Sequence, residues 1–252
     1  MNMKLFGLIG YPLNNSFSKE YFKQKFNLQK LPYRYENFPL EDISQLPEFI
    51  KSHPELSGFN VTLPYKQQIL PYLDKLDSSA EVVGAVNCVQ IKREADTIQL
   101  IGYNTDVHGF EISLLNFIIP HLKNFEALVF GTGGASKAVC YILKKLNIPF
   151  IQAGRNTDHP DLINYEDLTI ETIQSHLLLI NCTAVGMFPI EEVILPIPFE
   201  GIGEAHYCYD LIYKPAMSTF LKASVRQGAH TKNGLEMLHL QADRSFEIWE
   251  EK

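Results

Sequence analysis

The chain has 252 residues, of which 46% are hydrophobic, and its formal net charge is −7 at pH 7. This is enough apolar material for one large domain or for two of about 100–150 residues each. The acidic balance argues against a nucleic-acid or anionic-membrane partner. The four cysteines form no CxxC pair and no Cys/His cluster, so we expect reduced thiols in a cytoplasmic protein without a metal. The N-terminal segment shows no signal-peptide pattern, and no apolar run approaches the ~18 residues that span a bilayer.

Strand and helix patterns alternate in the first part of the chain. Hydrophobic patterning predicts strands at 4–10, 33–38, 58–64 and 84–91, and helices at 18–28, 43–52 and 67–73. Such alternation favours an α/β unit with a mainly parallel sheet.

A second α/β unit is predicted from residue 107 onward. Its expected elements are a helix at 109–117, a strand at 126–130, a helix at 136–146, and strands at 149–155, 177–187 and 205–213. This succession is typical of a doubly wound, Rossmann-like dinucleotide-binding domain. A last helix, capped by Asn233 with Glu236 three residues later, is expected to pack back on the first unit.

The segment GTGGASKA (131–138) lies between a buried strand and a helix, as a dinucleotide-binding loop does. We expect Gly131 to permit the tight turn, and Gly133 and Gly134 to let the backbone approach a pyrophosphate at the helix N-terminus. Ser136 stands where the third glycine of GxGxxG is usual. A glycine turn that binds nothing is the alternative.

The end of the next strand bears on the choice of dinucleotide. NAD-binding domains usually place an acid about 20 residues beyond the glycine loop, where it binds the ribose 2′-hydroxyl. This chain has Gly154-Arg155-Asn156 there. An arginine favours a 2′-phosphate and therefore NADP, and a solvated arginine in a turn is the alternative.

Two residues suited to proton transfer lie in segments that lack the periodicity of a surface helix. Lys66 ends FNVTLPYK (59–66) and Asp106 lies in GYNTDVHGF (102–110), both expected to be short polar loops. A lysine beside a carboxylate can move a proton to or from an alcohol or ketone oxygen. With a dinucleotide loop, the pair favours hydride transfer between a nicotinamide and a carbinol carbon. The alternatives are a surface lysine and a helix N-cap formed by Asp106.

Four other polar residues are candidates for substrate binding. Ser16 and Ser18, beside the start of the first helix, can hold a carboxylate or simply cap that helix. Asn87 and Gln241 are amides on otherwise apolar elements. Burial would oblige both amides to find partners, which can be a substrate hydroxyl or a backbone group.

Eight motifs in order and spacing give the chain a resemblance to the shikimate dehydrogenase family over nearly its full length. They are GYPLNNSFS (10–18), NVTLPYK (60–66), GAVN (84–87), NTD (104–106), GTGGAS (131–136), NCTAVGM (181–187), YDLIY (209–213) and NGLEMLHLQADRSF (233–246). The resemblance implies a reversible NADP-linked reduction of 3-dehydroshikimate to shikimate in chorismate and aromatic amino-acid biosynthesis. It also implies a substrate domain over 1–106, completed by C-terminal helices over 230–252, and a Rossmann-like NADP domain over 107–229.

The same resemblance implies roles for individual residues. Lys66 would be the general acid/base and Asp106 its partner. The substrate would contact Ser16, Ser18, Thr62, Lys66, Asn87, Asp106, Tyr213 and Gln241. The cofactor would contact Gly131, Gly133, Gly134, Ala135, Ser136, Arg155, Thr183, Leu211 and Gly234.

The chain departs from the family pattern at three places. Lys19 follows the second serine where proline is usual, Asn15 stands where histidine is common, and the usual NRT cofactor motif reads Gly154-Arg155-Asn156. A quinate/shikimate dehydrogenase that uses NAD or NADP is the nearest alternative, and a non-catalytic dinucleotide sensor is another. We expect a small-molecule substrate, no nucleic-acid or membrane partner, and a monomer or homodimer.

Overall fold

The computed structural model describes residues 3–13, 16–94, 97–118, 125–155 and 162–251. The chain divides into two compact units, Met1–Thr105 with Ala242–Lys252 and Asp106–Gln241. Each unit holds one six-stranded sheet with helices, which confirms the predicted α/β class.

The sheet of the first unit is mixed, with three parallel and two antiparallel pairings. Its strands are β1 (Lys4–Gly10), β2 (Tyr33–Pro39), β3 (Leu56–Val61), β4 (Lys75–Leu76), β5 (Cys88–Glu94) and β6 (Thr97–Tyr103), in the order β2–β1–β3–β5–β6–β4. β1 pairs in parallel with β2 and β3, and β4 with β6. β5 is antiparallel to β3 and β6, since β6 follows it without a crossover helix. The sequence patterns predicted neither β4 nor β6.

The helices of the first unit are shorter than predicted after β3. They are α1 (Phe17–Leu28), α2 (Leu46–Ser52), α3 (Tyr65–Gln68) and α4 (Ser78–Val83), with 3₁₀ turns at Ile43–Gln45 and Leu70–Tyr72. The helix predicted at 67–73 is replaced by α3 and the second 3₁₀ turn, in which Pro71 lacks a backbone donor. The strand predicted from residue 84 begins four residues later because Gly84, at φ +64°, caps α4.

The second unit has an all-parallel sheet in the doubly wound order. Its strands are β7 (Ala127–Phe130), β8 (Phe150–Gly154), β9 (Leu162–Asn164), β10 (Leu178–Asn181), β11 (Tyr207–Asp210) and β12 (His230–Lys232), in the order β12–β11–β10–β7–β8–β9. Strand order reverses between β7 and β10, and in such sheets ligands bind outside the carboxyl ends of the strands at that point. Four residues of β7 are fully buried, as a central parallel strand requires.

Four helices accompany this sheet, and a fifth continues into the first unit. They are α5 (Thr105–Phe117), α6 (Gly134–Lys145), α7 (Ile170–Ser175), α8 (Thr219–Arg226) and α9 (Leu235–Glu250), with 3₁₀ turns at Tyr165–Asp167 and Phe199–Gly201. The last half of α9 belongs to the first unit, where Trp249 stacks on Phe6 with ring centroids 4.7 Å apart. Trp249 also donates from Nε1 to the carbonyl oxygen of Val89 at 3.0 Å. Within the described ranges, no helix has the length and apolar character needed to cross a membrane.

Candidate functional site

The glycine loop follows β7 at the switch point of the second sheet. Gly131 has φ +104°, which favours glycine, and its N–H donates to the carbonyl oxygen of Ala153 at 2.8 Å. A Cβ atom at Gly133 or Gly134 would meet no atom within 4 Å. These two glycines therefore leave open space where α6 begins, at the positive end of its dipole. This arrangement fits a bound pyrophosphate.

Two side chains hydrogen-bond the glycine loop. Gln152 in β8 donates from Nε2 to the carbonyl oxygen of Gly131 at 2.7 Å and to Ser136 Oγ at 3.1 Å. Ser136 is fully buried and donates to the carbonyl oxygen of Gly133 at 2.7 Å. Ser136 thus acts inside the loop, and Ala135 lies half-buried in the first turn of α6.

A groove of about 1220 Å³ lies beside the loop in the second unit. It is lined by Thr132, Ser136, Lys137, Cys140, Lys144, Asn147, Ile148, Pro149, Phe150, Ile151, Gln152, Leu162, Ile163 and Asp167. Arg155 is exposed and directly follows β8. Burial raises the pKa of Tyr165 to about 12, and the positive charge of Arg155 opposes that rise. Asn15 and Asn156, named above as departures, lie outside the described residues.

Three predicted cofactor residues meet at the ends of β10 and β11. Thr183 donates from its backbone N and from Oγ1 to Asn181 Oδ1, at 2.9 and 2.7 Å. The N–H of Leu211 donates to the carbonyl oxygen of Asn181 at 3.0 Å. A Cβ at Gly234 would lie 2.1 Å from the carbonyl oxygen of Leu211, so close packing alone requires this glycine. Tyr213, two residues beyond Leu211, is 36% exposed.

In the first unit, backbone hydrogen bonds join Thr62 to β1 and Lys66 to Val86, the residue before Asn87. The N–H of Thr62 donates to Ile9 at the end of β1 at 2.9 Å, and the carbonyl oxygen of Lys66 accepts from Val86 at 2.7 Å. Lys66 is half-buried in the four-residue helix α3, so the prediction of a loop at this position was wrong. The N–H of Tyr65 donates to the carbonyl oxygen of Thr62 at 2.9 Å, and the N–H of Ile69 donates to the carbonyl oxygen of Tyr65 at 3.0 Å.

A buried polar network surrounds Asn87, which is 3% exposed. Its Oδ1 accepts from the backbone N and from Oγ1 of Thr105, at 2.7 and 3.1 Å. Its carbonyl oxygen accepts from Asn60 Nδ2 at 3.1 Å, and the same Nδ2 donates to Ser245 Oγ at 2.9 Å. Two donors on Oδ1 fix which way the Asn87 amide points.

The two serines near the start of α1 have separate partners. Ser16 is the N-cap of α1, accepting from the N–H of Lys19 at 3.3 Å, and it donates to Asn37 Oδ1 at 2.8 Å. Ser18 hydrogen-bonds Tyr35, which opposes the rise in the pKa of Tyr35 caused by its burial. The Tyr35 hydroxyl donates to Asn60 Oδ1 at 2.9 Å. Ser18 is therefore connected to the network around Asn87. Ser16 caps α1, a role that does not prevent a contact with a substrate carboxylate.

Asp106 and Gln241 belong to the second unit. Asp106 lies half-buried inside the first turn of α5, so both the expected loop and the alternative of an N-cap at this residue were wrong. Gln241 is 9% exposed and donates from Nε2 to the carbonyl oxygen of Leu238 at 3.0 Å. A Cβ at Gly109 would lie 2.6 Å from the carbonyl oxygen of Met237, so α5 and α9 approach closely one turn after Asp106.

Known proteins resemble this chain over nearly all of its length. The family described as "Shikimate dehydrogenase substrate binding domain" matches residues 8–89. A shikimate dehydrogenase (NADP(+)) from Methanosphaera stadtmanae is 36% identical over 96% of this chain and 90% of its own. The chain belongs to the shikimate dehydrogenase family. The predicted resemblance is thus confirmed.

Two solved structures agree with this family and with the predicted fold. A shikimate 5-dehydrogenase from Thermus thermophilus in complex with NADP(H) and shikimate is 29% identical, with a TM-score of 0.84 over 98% of this chain and 93% of its own. A quinate dehydrogenase from Corynebacterium glutamicum in complex with NAD is 25% identical, with a TM-score of 0.86 over 99% of this chain and 94% of its own.

Several residues that support the candidate site of this family member were not singled out from the sequence. They are Asn60, Gln152, Asn181, Asp210 and Ser245. All but Ser245, which follows Asp243 and Arg244, are polar residues in otherwise apolar segments, and all five are buried or half-buried. A buried polar group must find a partner, so polarity within an apolar strand was the available signal.

Proposed function

We propose that the chain catalyses the reversible NADP(H)-dependent reduction of 3-dehydroshikimate to shikimate, as an oxidoreductase acting on a CH–OH group in chorismate and aromatic amino-acid biosynthesis. The observation that carries this is the open glycine loop at the switch point, in a chain that belongs to the shikimate dehydrogenase family. Both proton-transfer candidates, Lys66 and Asp106, are present.

The cofactor is proposed to lie along the second unit. When bound, a nicotinamide dinucleotide supplies the hydride. Gly131, Gly133, Gly134, Ala135 and Ser136 would form the pyrophosphate loop. Arg155 would bind the 2′-phosphate, which a guanidinium can hold by paired hydrogen bonds. Thr183, Leu211 and Gly234 complete the proposed set, supported by the hydrogen bonds and close packing that join them.

The substrate contacts are likewise proposed residue by residue. Ser16 and Ser18 would hold the carboxylate. Thr62, Asn87, Asp106 and Gln241 would bind ring hydroxyls, and Tyr213 would line the pocket. The fixed orientation of the Asn87 amide supports its proposed role in binding a hydroxyl, because preorganised donors bind at lower entropic cost.

Proton transfer is assigned to Lys66. Its ammonium would donate a proton to the substrate oxygen during reduction, and its neutral amine would take that proton back during oxidation. Asp106 is the proposed partner of Lys66 and a second hydroxyl contact. Each of these two side chains is half-buried within its own unit.

Domain roles, location and assembly also remain proposals. Residues 1–106 with 230–252 are the proposed substrate domain and 107–229 the proposed NADP domain, although β12 pairs with β11 in the second unit and that unit extends to Gln241. We place the protein in the cytoplasm, a setting consistent with four free thiols. Monomer and homodimer are both compatible with the chain.

One assay separates the candidate functions. Shikimate and quinate are each offered with NADP and with NAD, and the absorbance of the reduced nicotinamide is followed. Turnover of shikimate with NADP, well above the other three combinations, is the expected result. Preference for quinate or for NAD would favour the second candidate, which the similarity to the NAD-bound quinate dehydrogenase supports. Cofactor binding without turnover of either substrate would indicate a dinucleotide sensor.

A further inference from the structure

Asp210 is a fully buried carboxylate at the end of β11. Its Oδ1 accepts from Asn181 Nδ2 at 3.0 Å and from the N–H of Ile212 at 2.9 Å, and its Oδ2 accepts from Ser218 Oγ. All three donors are neutral. Burial raises the pKa of Asp210 to about 6, and the three hydrogen bonds oppose that rise.

These hydrogen bonds reach three separate segments. Asn181 ends β10, and its Oδ1 receives both donors of Thr183. Ile212 lies between Leu211 and Tyr213. Ser218 is the N-cap of α8, accepting from the N–H of Leu221 at 3.3 Å.

A buried carboxylate at a strand end has a high cost in desolvation free energy. Ionised groups lose hydration on burial, and an apolar side chain of similar volume is often as stable or more so. The carboxylate at Asp210 does what an apolar residue cannot, since it accepts from several donors on different segments at once. The hydrogen bonds of Asp210 thus help to arrange the two loops that follow β10 and β11.

We propose that Asp210 is a positioning residue of the cofactor site. Through Asn181 it fixes Thr183, and through the N–H of Ile212 it fixes the segment that carries Leu211 and Tyr213. This rests on the proposed function, because Thr183 and Leu211 are cofactor residues only within it.

The test compares two substitutions that differ in the bonds they keep. In Asp210→Asn the amide oxygen can accept from Asn181 and Ile212, and the amide nitrogen can donate to Ser218 Oγ. Asp210→Ala keeps none of these bonds. We expect Asp210→Ala to raise the Kd for NADPH about tenfold or more, and Asp210→Asn to stay within about threefold of the unaltered protein. NADPH fluorescence titration measures both, and the exposed Glu200→Gln is the matched control.

Steady-state kinetics give a second readout that a purely structural role would not move in this way. The KM for NADP should rise in Asp210→Ala in step with the Kd, while kcat at saturating cofactor changes less. In a Thr183→Ala background, Asp210→Ala should raise the Kd by a clearly smaller factor, because the two residues act through Asn181. Melting curves confirm that each variant is folded.

If Asp210→Ala does not fold, Asn181→Ala provides the same comparison, since it breaks the link to Thr183 and leaves Asp210 its bonds from Ile212 and Ser218. A folded variant with unchanged NADPH affinity, or full additivity with Thr183→Ala, would overturn the positioning role alone. Unaltered protein that binds no NADPH would overturn the proposed function as well.

Discussion

Gln152 in β8 donates a hydrogen bond to the carbonyl oxygen of Gly131 at 2.7 Å, which ties the glycine loop to the strand beside it. Gln152→Leu removes this bond and the one to Ser136, and replaces the amide with an apolar side chain of similar size. We expect the KM for NADP to rise several-fold and the free energy of unfolding to fall by about 1–2 kcal/mol. Cofactor titrations and urea unfolding measure the two effects.

The exposed Gln227→Leu serves as the control for Gln152→Leu, because it makes the same chemical change after α8. It should alter neither quantity. Unchanged cofactor KM in a folded Gln152→Leu variant would show that the loop keeps its shape without this tether.

Gly133→Val should abolish NADPH binding and leave the protein folded. A Cβ at Gly133 meets no atom within 4 Å, so the valine fits the free protein but occupies the surface that a pyrophosphate must approach. Fluorescence titration with NADPH and thermal melting give the two readouts. Gly203→Val, another position with open space around Cβ, is the control that should bind normally. Normal affinity in Gly133→Val would mean that the loop is only a structural turn.

Sequence patterns predicted the strands and helices whose formation depends on residues close together in the chain. The run at residues 4–10 coincides with β1, because a buried apolar strand needs only its own side chains and a turn after it. β6 escaped prediction because its strand state rests on pairing with β5. Tertiary pairing of that kind is not visible in a short window of sequence.

The sequence predicted which residue types form the candidate site. It predicted less well which residues hold them in place. Motifs in the sequence gave the glycine loop and most polar candidates, and the resemblance to a family added Thr62, Tyr213, Thr183, Leu211 and Gly234. The tether at Gln152 depends on sheet register, which pairs Gln152 with Val129, two residues before Gly131. Register and close packing arise from the whole sheet, so neither Gln152 nor Asp210 could be assigned from its neighbours in sequence.

Arg155→Ala should reduce the preference for NADP over NAD. A paired arginine–phosphate contact contributes very roughly 1.5–3 kcal/mol, or about tenfold to a hundredfold in affinity. We therefore expect the KM for NADP to rise by that order while the KM for NAD hardly changes. Arg226→Ala, at the exposed end of α8, removes the same charge elsewhere in the second unit and should leave both values unchanged. Equal use of both cofactors by the unaltered protein would contradict the role of Arg155.

Asp210 should make stability depend on pH in a defined direction. Burial raises its pKa from the ordinary 3.8 to about 6, so the folded protein holds this proton more tightly than the unfolded chain. The stability that the proton provides is full below the unfolded pKa and is lost as pH rises through the folded pKa. The loss is about 1.4 kcal/mol for each pH unit between the two values.

Asp210→Asn isolates that effect, because the amide does not titrate. The free energy of unfolding of the unaltered protein, minus that of the variant, should fall from about pH 4 to about pH 6 and then level off. Urea unfolding of both proteins across this range gives the difference. A difference that stays constant with pH would show that Asp210 has the same pKa in both states.

Asp106 is expected to affect both binding and turnover. Asp106→Ala removes the proposed partner of Lys66 and a proposed hydroxyl contact, so kcat should fall and the KM for shikimate should rise together. Asp106→Ala should also lower the free energy of unfolding by about 0.3–1 kcal/mol, because a carboxylate in the first turn of α5 interacts favourably with the helix dipole. Kinetics with shikimate and melting curves separate these effects. A melting change with unaltered kinetics would leave Asp106 only a role in the helix.

Lys66→Ala tests the proton transfer itself. As a general acid/base, Lys66 should contribute about 10²–10⁴-fold to kcat, whereas the KM for shikimate should change much less because the hydroxyl and amide contacts remain. Lys51→Ala, an exposed lysine of α2, is the control with the same loss of charge and should keep full turnover. The double variant Lys66→Ala with Asp106→Ala should lose less than the product of the single losses, since the two residues would act as one unit. Near-normal kcat in Lys66→Ala would exclude this lysine as the proton donor, and strict additivity would exclude Asp106 as its partner.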